Sequence, residues 1–166
     1  MTTFKKKVVL WDIDGTLADG GHRIHLMPED KTHTSNFDAF NKACADDPLV
    51  PQTAAIFFAL RDQMLAGEAP FQDFYFLTSR CEVCHDETVE FLNKTGLGVF
   101  PMIMRNKDEH RAPVDFKSAM LDDLEAEGID IYMAFDDDLE VVNMMKSRGI
   151  YALHVAEWWK SGFKVN

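Results

Sequence analysis

Five short apolar runs punctuate this chain, and most of them stop abruptly at a polar or charged residue. They are Lys5 to Asp12 (KKKVVLWD), Phe74 to Thr78 (FYFLT), Val99 to Met104 (VFPMIM), Ile131 to Phe135 (IYMAF) and Ile150 to Val155 (IYALHV). Runs this short, and apolar without alternation, are expected of strands buried on both faces. Between them the apolar residues recur at helical spacing. Thr53 to Ala66 follows Pro51, while Asp86 to Asn93, Val114 to Glu125 and Leu139 to Lys146 are followed by Gly96, Gly128 and Gly149. A glycine is the residue a helix C-terminus favours, because it accepts a left-handed conformation without steric cost.

Strand and helix in alternation predict an α/β fold. The expected architecture is a Rossmann-like three-layer sandwich with a central parallel sheet of about five strands and a small cap insertion after strand one. The 166 residues read as one domain, 1–166, with residues 22–50 as the cap or lid. That insertion is polar and His-rich, and a stretch of this length outside the alternation is more often functional than passive.

Open parallel sheets bind ligands beyond the carboxyl ends of their strands. Here those ends carry chemistry. Strand one runs into Asp12-Ile13-Asp14-Gly15-Thr16, strand two into Thr78-Ser79-Arg80, and strand four into Asp136-Asp137-Asp138. Two carboxylates two residues apart can divide labour: Asp12 can attack phosphorus while Asp14 hands a proton to the departing oxygen and later activates water. Carboxylates alone repel a phosphate, so a cation is required. Asp136 and Asp137 supply further oxygen ligands for a hard ion, most plausibly Mg²⁺. Thr78 and a nearby N–H can hold phosphoryl oxygens, and Lys117, in the first turn of its helix, can offset the remaining charge. Asp-x-Asp and triple Asp are each common in acidic loops; it is their placement after apolar runs, with Thr-Ser-Arg and a helical lysine, that points to a site.

Composition trims the alternatives. Seventeen basic against 28 acidic side chains give a net charge of −11, which argues against tight sequence-independent binding of duplex nucleic acid. No apolar run approaches the roughly 18 to 20 residues of a membrane span, and no signal peptide is apparent, so a cytoplasmic protein of a bacterial or phage-infected cell is expected. Cys81-Glu82-Val83-Cys84-His85 has the spacing of a haem-attachment or dithiol motif. Three cysteines in a reducing compartment are expected to be thiols, no haem is expected, and the motif reads as the opening of the helix behind Arg80. Cys81, at the positive end of that helix, is expected to have a lowered pKa. His22, His25 and His33 read as surface histidines.

VVLWDIDGTLAD resembles the first motif of the haloacid dehalogenase superfamily of phosphohydrolases, FLTSR its second, Lys117 its third and AFDDD its fourth. The resemblance implies that Asp12 is the aspartyl-phosphate nucleophile and that Asp14 is the acid/base, lending its backbone carbonyl to Mg²⁺. It further implies that Asp136 is a direct metal ligand and Asp137 an indirect one. The chain is also similar to the 3′-phosphatase domains of phage-type polynucleotide kinases and their stand-alone relatives. They carry an arginine eleven residues after the nucleophile, where Arg23 stands, Ser-Gly-Arg at the second motif, where Thr78-Ser79-Arg80 stands, and an arginine six residues before the lysine, where Arg111 stands. Pro113 replaces an aspartate usual in that family, although Asp115 is near.

By this likeness Arg23, Ser79, Arg80 and Arg111 contact substrate, with Arg23 and Arg80 as anchors for a second phosphate or sugar. Phe37 offers a face on which a base can stack. The expected activity is Mg²⁺-dependent hydrolysis of a small phosphorylated substrate, a mononucleotide. The 3′-phosphate end of a DNA or RNA strand is the alternative, and a non-catalytic binding module a remote one.

Overall fold

The computed structural model describes residues 5–155. Its strands are β1 (Lys6–Trp11), β2 (Asp73–Cys81), β3 (Met102–Arg105), β4 (Ile129–Asp136) and β5 (Ala152–His154). They form one parallel sheet in the order β3-β2-β1-β4-β5. The helices are α1 (Asp38–Lys42), α2 (Pro51–Leu65), α3 (His85–Lys94), α4 (Pro113–Ala126) and α5 (Leu139–Ser147). This is the Rossmann-like α/β architecture expected from the alternation.

β1 is central, bonded along its edges to β2 and β4 and covered on both faces by packed side chains, so Val8 to Trp11 are buried. The chain winds from β1 outward to β3, then crosses to β4 on the opposite side of β1. Connections leaving in opposite directions open a crevice at the carboxyl ends of the strands at that switch. Asp12 follows β1 and Asp136 ends β4, so the topology alone brings those two carboxylates to the crevice.

The two faces differ in chemistry. On one, α2 and α3 cover an aromatic layer of Trp11, Phe57, Phe74, Phe76, Phe91 and Phe135. Trp11 and Phe135 stack face to face at 4.0 Å, and Phe57 meets the Trp11 edge at 5.0 Å. On the other, α4 and α5 pack aliphatic side chains and Phe116 against Val8, Leu10 and Ala134. The helices after β2, β3 and β4 end near Gly96, Gly128 and Gly149, all at positive φ.

Two expectations need correction. β2 does not stop at Thr78; it continues through Ser79 and Arg80 to Cys81. Cys81 therefore closes a strand rather than opening a helix, and a short 3-10 turn, Glu82–Cys84, precedes α3. The third strand is shorter than its apolar run, because Pro101 has no N–H to give a ladder; its carbonyl still accepts from the Phe76 N–H at 2.8 Å.

Between β1 and α2 the chain makes 3-10 turns at Gly21–Leu26, Thr34–Phe37 and Ala43–Asp46, with α1 between the last two. Its end is tied to β1's exit loop: the Asp19 and Val50 N–H groups donate to the carbonyls of Pro48 and Leu17. Among the described residues no helix is long and apolar enough to cross a membrane.

Candidate active site

The crevice floor is built from three strand and helix ends. The Asp12 N–H donates to the Phe135 carbonyl at 3.0 Å, extending the β1–β4 pairing by one residue and setting Asp12 beside Asp136. Lys117, buried in the first turn of α4, donates to Asp12 Oδ1 at 2.7 Å and to Asp136 Oδ2 at 2.6 Å. The second oxygen of Asp12 accepts from the Thr16 hydroxyl at 3.2 Å, and Asp136 Oδ1 accepts from the Asp138 N–H at 3.0 Å. Burial disfavours the Lys117 ammonium, but Asp12 and Asp136 outweigh it and hold the lysine charged.

Asp137 completes a triad. Carboxylate oxygens of Asp12, Asp136 and Asp137 all lie within 4.8 Å of one another. Three carboxylates face one ammonium, so two negative charges are left uncompensated when all are ionised. Burial raises Asp12 to about 7, against the pull of Lys117 and with Asp136 adding to the rise. Burial, then Asp12 and Asp136, raise Asp137 to about 9. An all-oxygen set of clustered, undercompensated carboxylates fits a hard divalent cation. Asp12, Asp136 and Asp137 would hold it.

Asp14 belongs to a separate, closed network. Arg80 grips it as a fork, Nε on Oδ2 at 2.9 Å and Nη2 on Oδ1 at 2.8 Å, and Arg23 Nη2 reaches Oδ1 at 2.5 Å. Both guanidiniums also bind Asp47, a fully buried carboxylate. Arg23 supplies contacts of 2.7 Å from Nε and Nη2, and Arg80 one of 3.0 Å from Nη2. His22 Nε2 is 2.8 Å from the same carboxylate. Two carboxylates and two guanidiniums balance, in contrast to the floor. Burial raises the Asp14 pKa, yet Arg80 and Arg23 overcome that effect and hold the carboxyl well below the usual range.

Arg23 and Arg80 are thus fully buried and directed at Asp14 and Asp47 rather than into the crevice. Both were expected from the sequence to contact substrate; in this geometry their guanidiniums bond Asp14, and neither is among the residues lining the cavity. Arg111 is not brought to the site either: it is exposed and clasps Glu109 through Nε and Nη2. Cys81 is buried at the end of β2, where it caps the 3-10 turn Glu82–Cys84 that leads into α3.

The remaining expected residues converge. Asp12, Asp14, Thr78, Ser79, Lys117, Asp136, Asp137 and Phe37 line one cavity of about 540 Å³. Ser79 Oγ is buried with no protein partner. The same cavity is lined by Ile24, Met27, Phe37 and Phe40 from the insertion and by Pro113 and Val141 from α4 and α5. Lys31 joins Lys117 as a cation on the wall. Ile24, Met27, Lys31 and Asp47 were not singled out by sequence reasoning. The apolar pair has helical spacing that reads as ordinary packing, and Asp47 sits in an acidic stretch that reads as a solvated loop.

Residues 6–158 match the family model of the polynucleotide kinase PNKP phosphatase domain. The chain belongs to this family. It is therefore a phosphatase of the haloacid dehalogenase superfamily, as the four sequence motifs imply. No curated protein matches the sequence at a significant level.

Solved structures agree on the fold. A chain of the Pnkp1/Rnl/Hen1 RNA repair complex superposes with a TM-score of 0.70 at 19% identity, covering 94% of this chain and 44% of its own. This chain thus spans less than half the length of that protein. A class C acid phosphatase from Bacillus anthracis with tungstate bound gives 0.62 at 16% identity, covering 94% of this chain and 68% of that one. A haloacid dehalogenase-like hydrolase from Streptococcus pneumoniae gives 0.57 at 17% identity, covering 95% and 87%.

Proposed function

We propose that this phosphatase hydrolyses phosphomonoesters of nucleotides through an aspartyl-phosphate on Asp12, with one nucleotide filling the cleft beneath the insertion as its cap. The observation that carries the reading is the polarity of the cavity. Its lining joins Asp12, Lys117 and the carboxylate triad to apolar residues of the insertion, Phe37 and Phe40 among them. A volume of about 540 Å³ lies within the roughly 300 to 1,000 Å³ of small-ligand sites. A phosphate at the floor then leaves a flat, apolar group against the cap.

In the first half-reaction an oxygen of Asp12 forms a bond to phosphorus as the ester P–O bond breaks. Lys117 Nζ, 2.7 Å from that carboxylate, stays charged and faces the phosphoryl oxygens that gain negative charge. In this reading the Thr78 and Ser79 hydroxyls donate to those oxygens, which is supported by both residues lining the cavity and by Ser79 Oγ having no protein partner. Asp12, Asp136, Asp137 and the Asp14 carbonyl would hold Mg²⁺, which would supply compensating charge for carboxylates and phosphate together.

Asp14 takes the proton of water in the second half-reaction, for which its ionised form is the correct one. Donation to the leaving oxygen in the first half requires Asp14 to gain a proton. The approach of a phosphate's negative charge favours that uptake.

A second reading is the 3′-phosphate of a strand terminus. It is supported by the family match, by the RNA repair complex among the similar folds, and by Lys31 on the cleft wall, where it can meet a neighbouring phosphate. The deciding experiment is Mg²⁺-dependent phosphate release from 5′- and 3′-mononucleotides and from an oligonucleotide with a 3′-phosphate, with Asp12→Asn as control. Turnover of a mononucleotide at least as fast as of the oligonucleotide supports the first reading. Preference for the oligonucleotide establishes the second, and release by Asp12→Asn equal to wild type overturns both.

A further inference from the structure

Two cysteines that the phosphatase chemistry leaves unused meet beneath the insertion. Cys44 lies in the turn Ala43–Asp46 and Cys84 ends the turn Glu82–Cys84, and both are completely buried. Each sulfur stands 3.7 Å from the same atom, Thr88 Oγ1 of α3, so the two side chains converge on one hydroxyl. The C-x-x-C spacing in the sequence pairs Cys84 with the wrong partner: Cys81 offers its carbonyl, which accepts from Cys84 Sγ at 3.1 Å.

The pair is wired to the catalytic carboxylate by two routes. Thr88 Oγ1 accepts from Arg80 Nη1 at 3.3 Å, and Arg80 grips Asp14. On the other side, the Cys44 carbonyl accepts from the Asp47 N–H at 3.1 Å, and Asp47 is the carboxylate that Arg23 and Arg80 share.

We propose that Cys44 and Cys84 are a redox modification site, forming a disulfide under peroxide that lowers phosphatase activity by displacing Thr88 and Asp47 from the Arg80–Asp14 clamp. The Cys44 sulfur attacks one peroxide oxygen, the O–O bond breaks, and a sulfenic acid and one water result. The Cys84 thiol then displaces the second water from that sulfur as the S–S bond forms. The two thiols together lose two electrons and two protons, all of which leave in the two waters. A bond of about 2.05 Å is far shorter than any thiol contact, so closing it draws the two turns together and takes both sulfurs off Thr88. Arg80 and the Cys84 contact favour the Cys44 thiolate, the attacking form.

The test treats the Mg²⁺-loaded protein with hydrogen peroxide, blocks free thiols in denaturant, and digests it without reductant. The expected result is a cross-linked Cys44–Cys84 peptide in step with a fall in kcat of about tenfold to a hundredfold, the range expected for about 1 Å of misplacement. Dithiothreitol restores both. Cys44→Ser and Cys84→Ser resist the loss, whereas Cys81→Ser does not; should one serine variant fail to fold, the other carries the test. Peroxide-treated protein with both thiols free overturns the proposal. So does inactivation of both serine variants to the same extent as the wild type, or a disulfide that leaves kcat unchanged. The activity arm rests on the phosphatase reading. The mass of the cross-linked peptide does not, so the bond is tested even if no substrate is turned over.

Discussion

Arg80 meets Asp14 as a planar fork, with Nε and Nη2 each on a different carboxylate oxygen at 2.9 and 2.8 Å. Bidentate pairing of this kind fixes orientation as well as charge, and lysine cannot reproduce it. The carboxylate proposed to exchange a proton with the leaving group is therefore one the fold holds ionised and immobile.

The first prediction concerns leaving groups. Asp14→Asn keeps the shape of the side chain and removes its proton chemistry. For a nucleotide, whose alkoxide leaving group needs a proton, kcat is expected to fall by roughly a hundredfold to ten-thousandfold. For an aryl phosphate, whose phenolate leaves unassisted, the loss in the first step is expected to be smaller. Steady-state and burst kinetics on both esters check this, and an equal loss in burst rate contradicts a proton-donating Asp14.

Lys117 carries a second prediction. Among the described residues it is the one cation paired with Asp12 and Asp136, at 2.7 and 2.6 Å, in a buried floor. Removing one partner of a buried ion pair costs about 3 to 5 kcal/mol, because the remaining charges lose their compensation. Lys117→Met is expected to lose about that much in urea unfolding without divalent cation and markedly less with Mg²⁺ present. Activity is expected to fall by about a hundredfold or more even when Mg²⁺ restores stability.

Metal removal should also reshape the pH dependence of stability. Asp12 and Asp137 are raised from 3.8 to about 7 and about 9, so the folded, metal-free protein binds protons more tightly than the unfolded chain. Their contribution is complete below pH 3.8 and is lost as pH rises through those folded values. Asp14 acts oppositely: its lowered pKa contributes stability above 3.8 that is lost as pH falls through the folded value. In EDTA the unfolding temperature is expected to decline between about pH 5 and 9, and saturating Mg²⁺ should flatten that decline, since the cation replaces the protons. Calorimetry across that range in EDTA and in Mg²⁺ distinguishes this from a floor that binds no cation.

The floor of this site was legible because its residues obey a simple rule: where an apolar run in the sequence ends, the next polar side chains line the crevice. Asp12, Thr78 and Asp136 obey it, and Lys117 is found by its place in the first turn of a helix. The closed network was not legible. Sequence reading assigns polar residues to water, yet Ser79, Arg80 and Cys81 continue β2, and Asp47 and Arg23 are buried outright, each stabilised by a partner distant in sequence. Nothing local distinguishes Asp47 from its exposed neighbour Asp46; only the fold brings two guanidiniums to one and not the other. The strand order likewise depends on which side of β1 each crossover takes, which apolar runs do not record.

The cleft wall gives the last prediction. Phe37 is half-buried and faces the cavity, while Phe40, beside it, lies under the Arg23 guanidinium at 3.9 Å and is committed to the Asp14 network. The two aromatics should therefore behave differently. Stacking of a base on an aromatic side chain contributes about 1 to 3 kcal/mol. Phe37→Ala is accordingly expected to raise KM for nucleotides by roughly fivefold to a hundredfold, with kcat little changed and KM for a small alkyl phosphate unaltered. Phe40→Ala removes the face on which Arg23 rests, so it is expected to lower kcat for nucleotide and alkyl ester alike through Asp14. Lys31→Ala adds a separate measure: on an oligonucleotide 3′-phosphate it should shallow the dependence of KM on salt, but on a nucleoside monophosphate it should not, because that substrate offers no second phosphate. If Phe37→Ala changes KM for the alkyl and nucleotide esters by the same factor, the wall serves packing and the base is bound elsewhere.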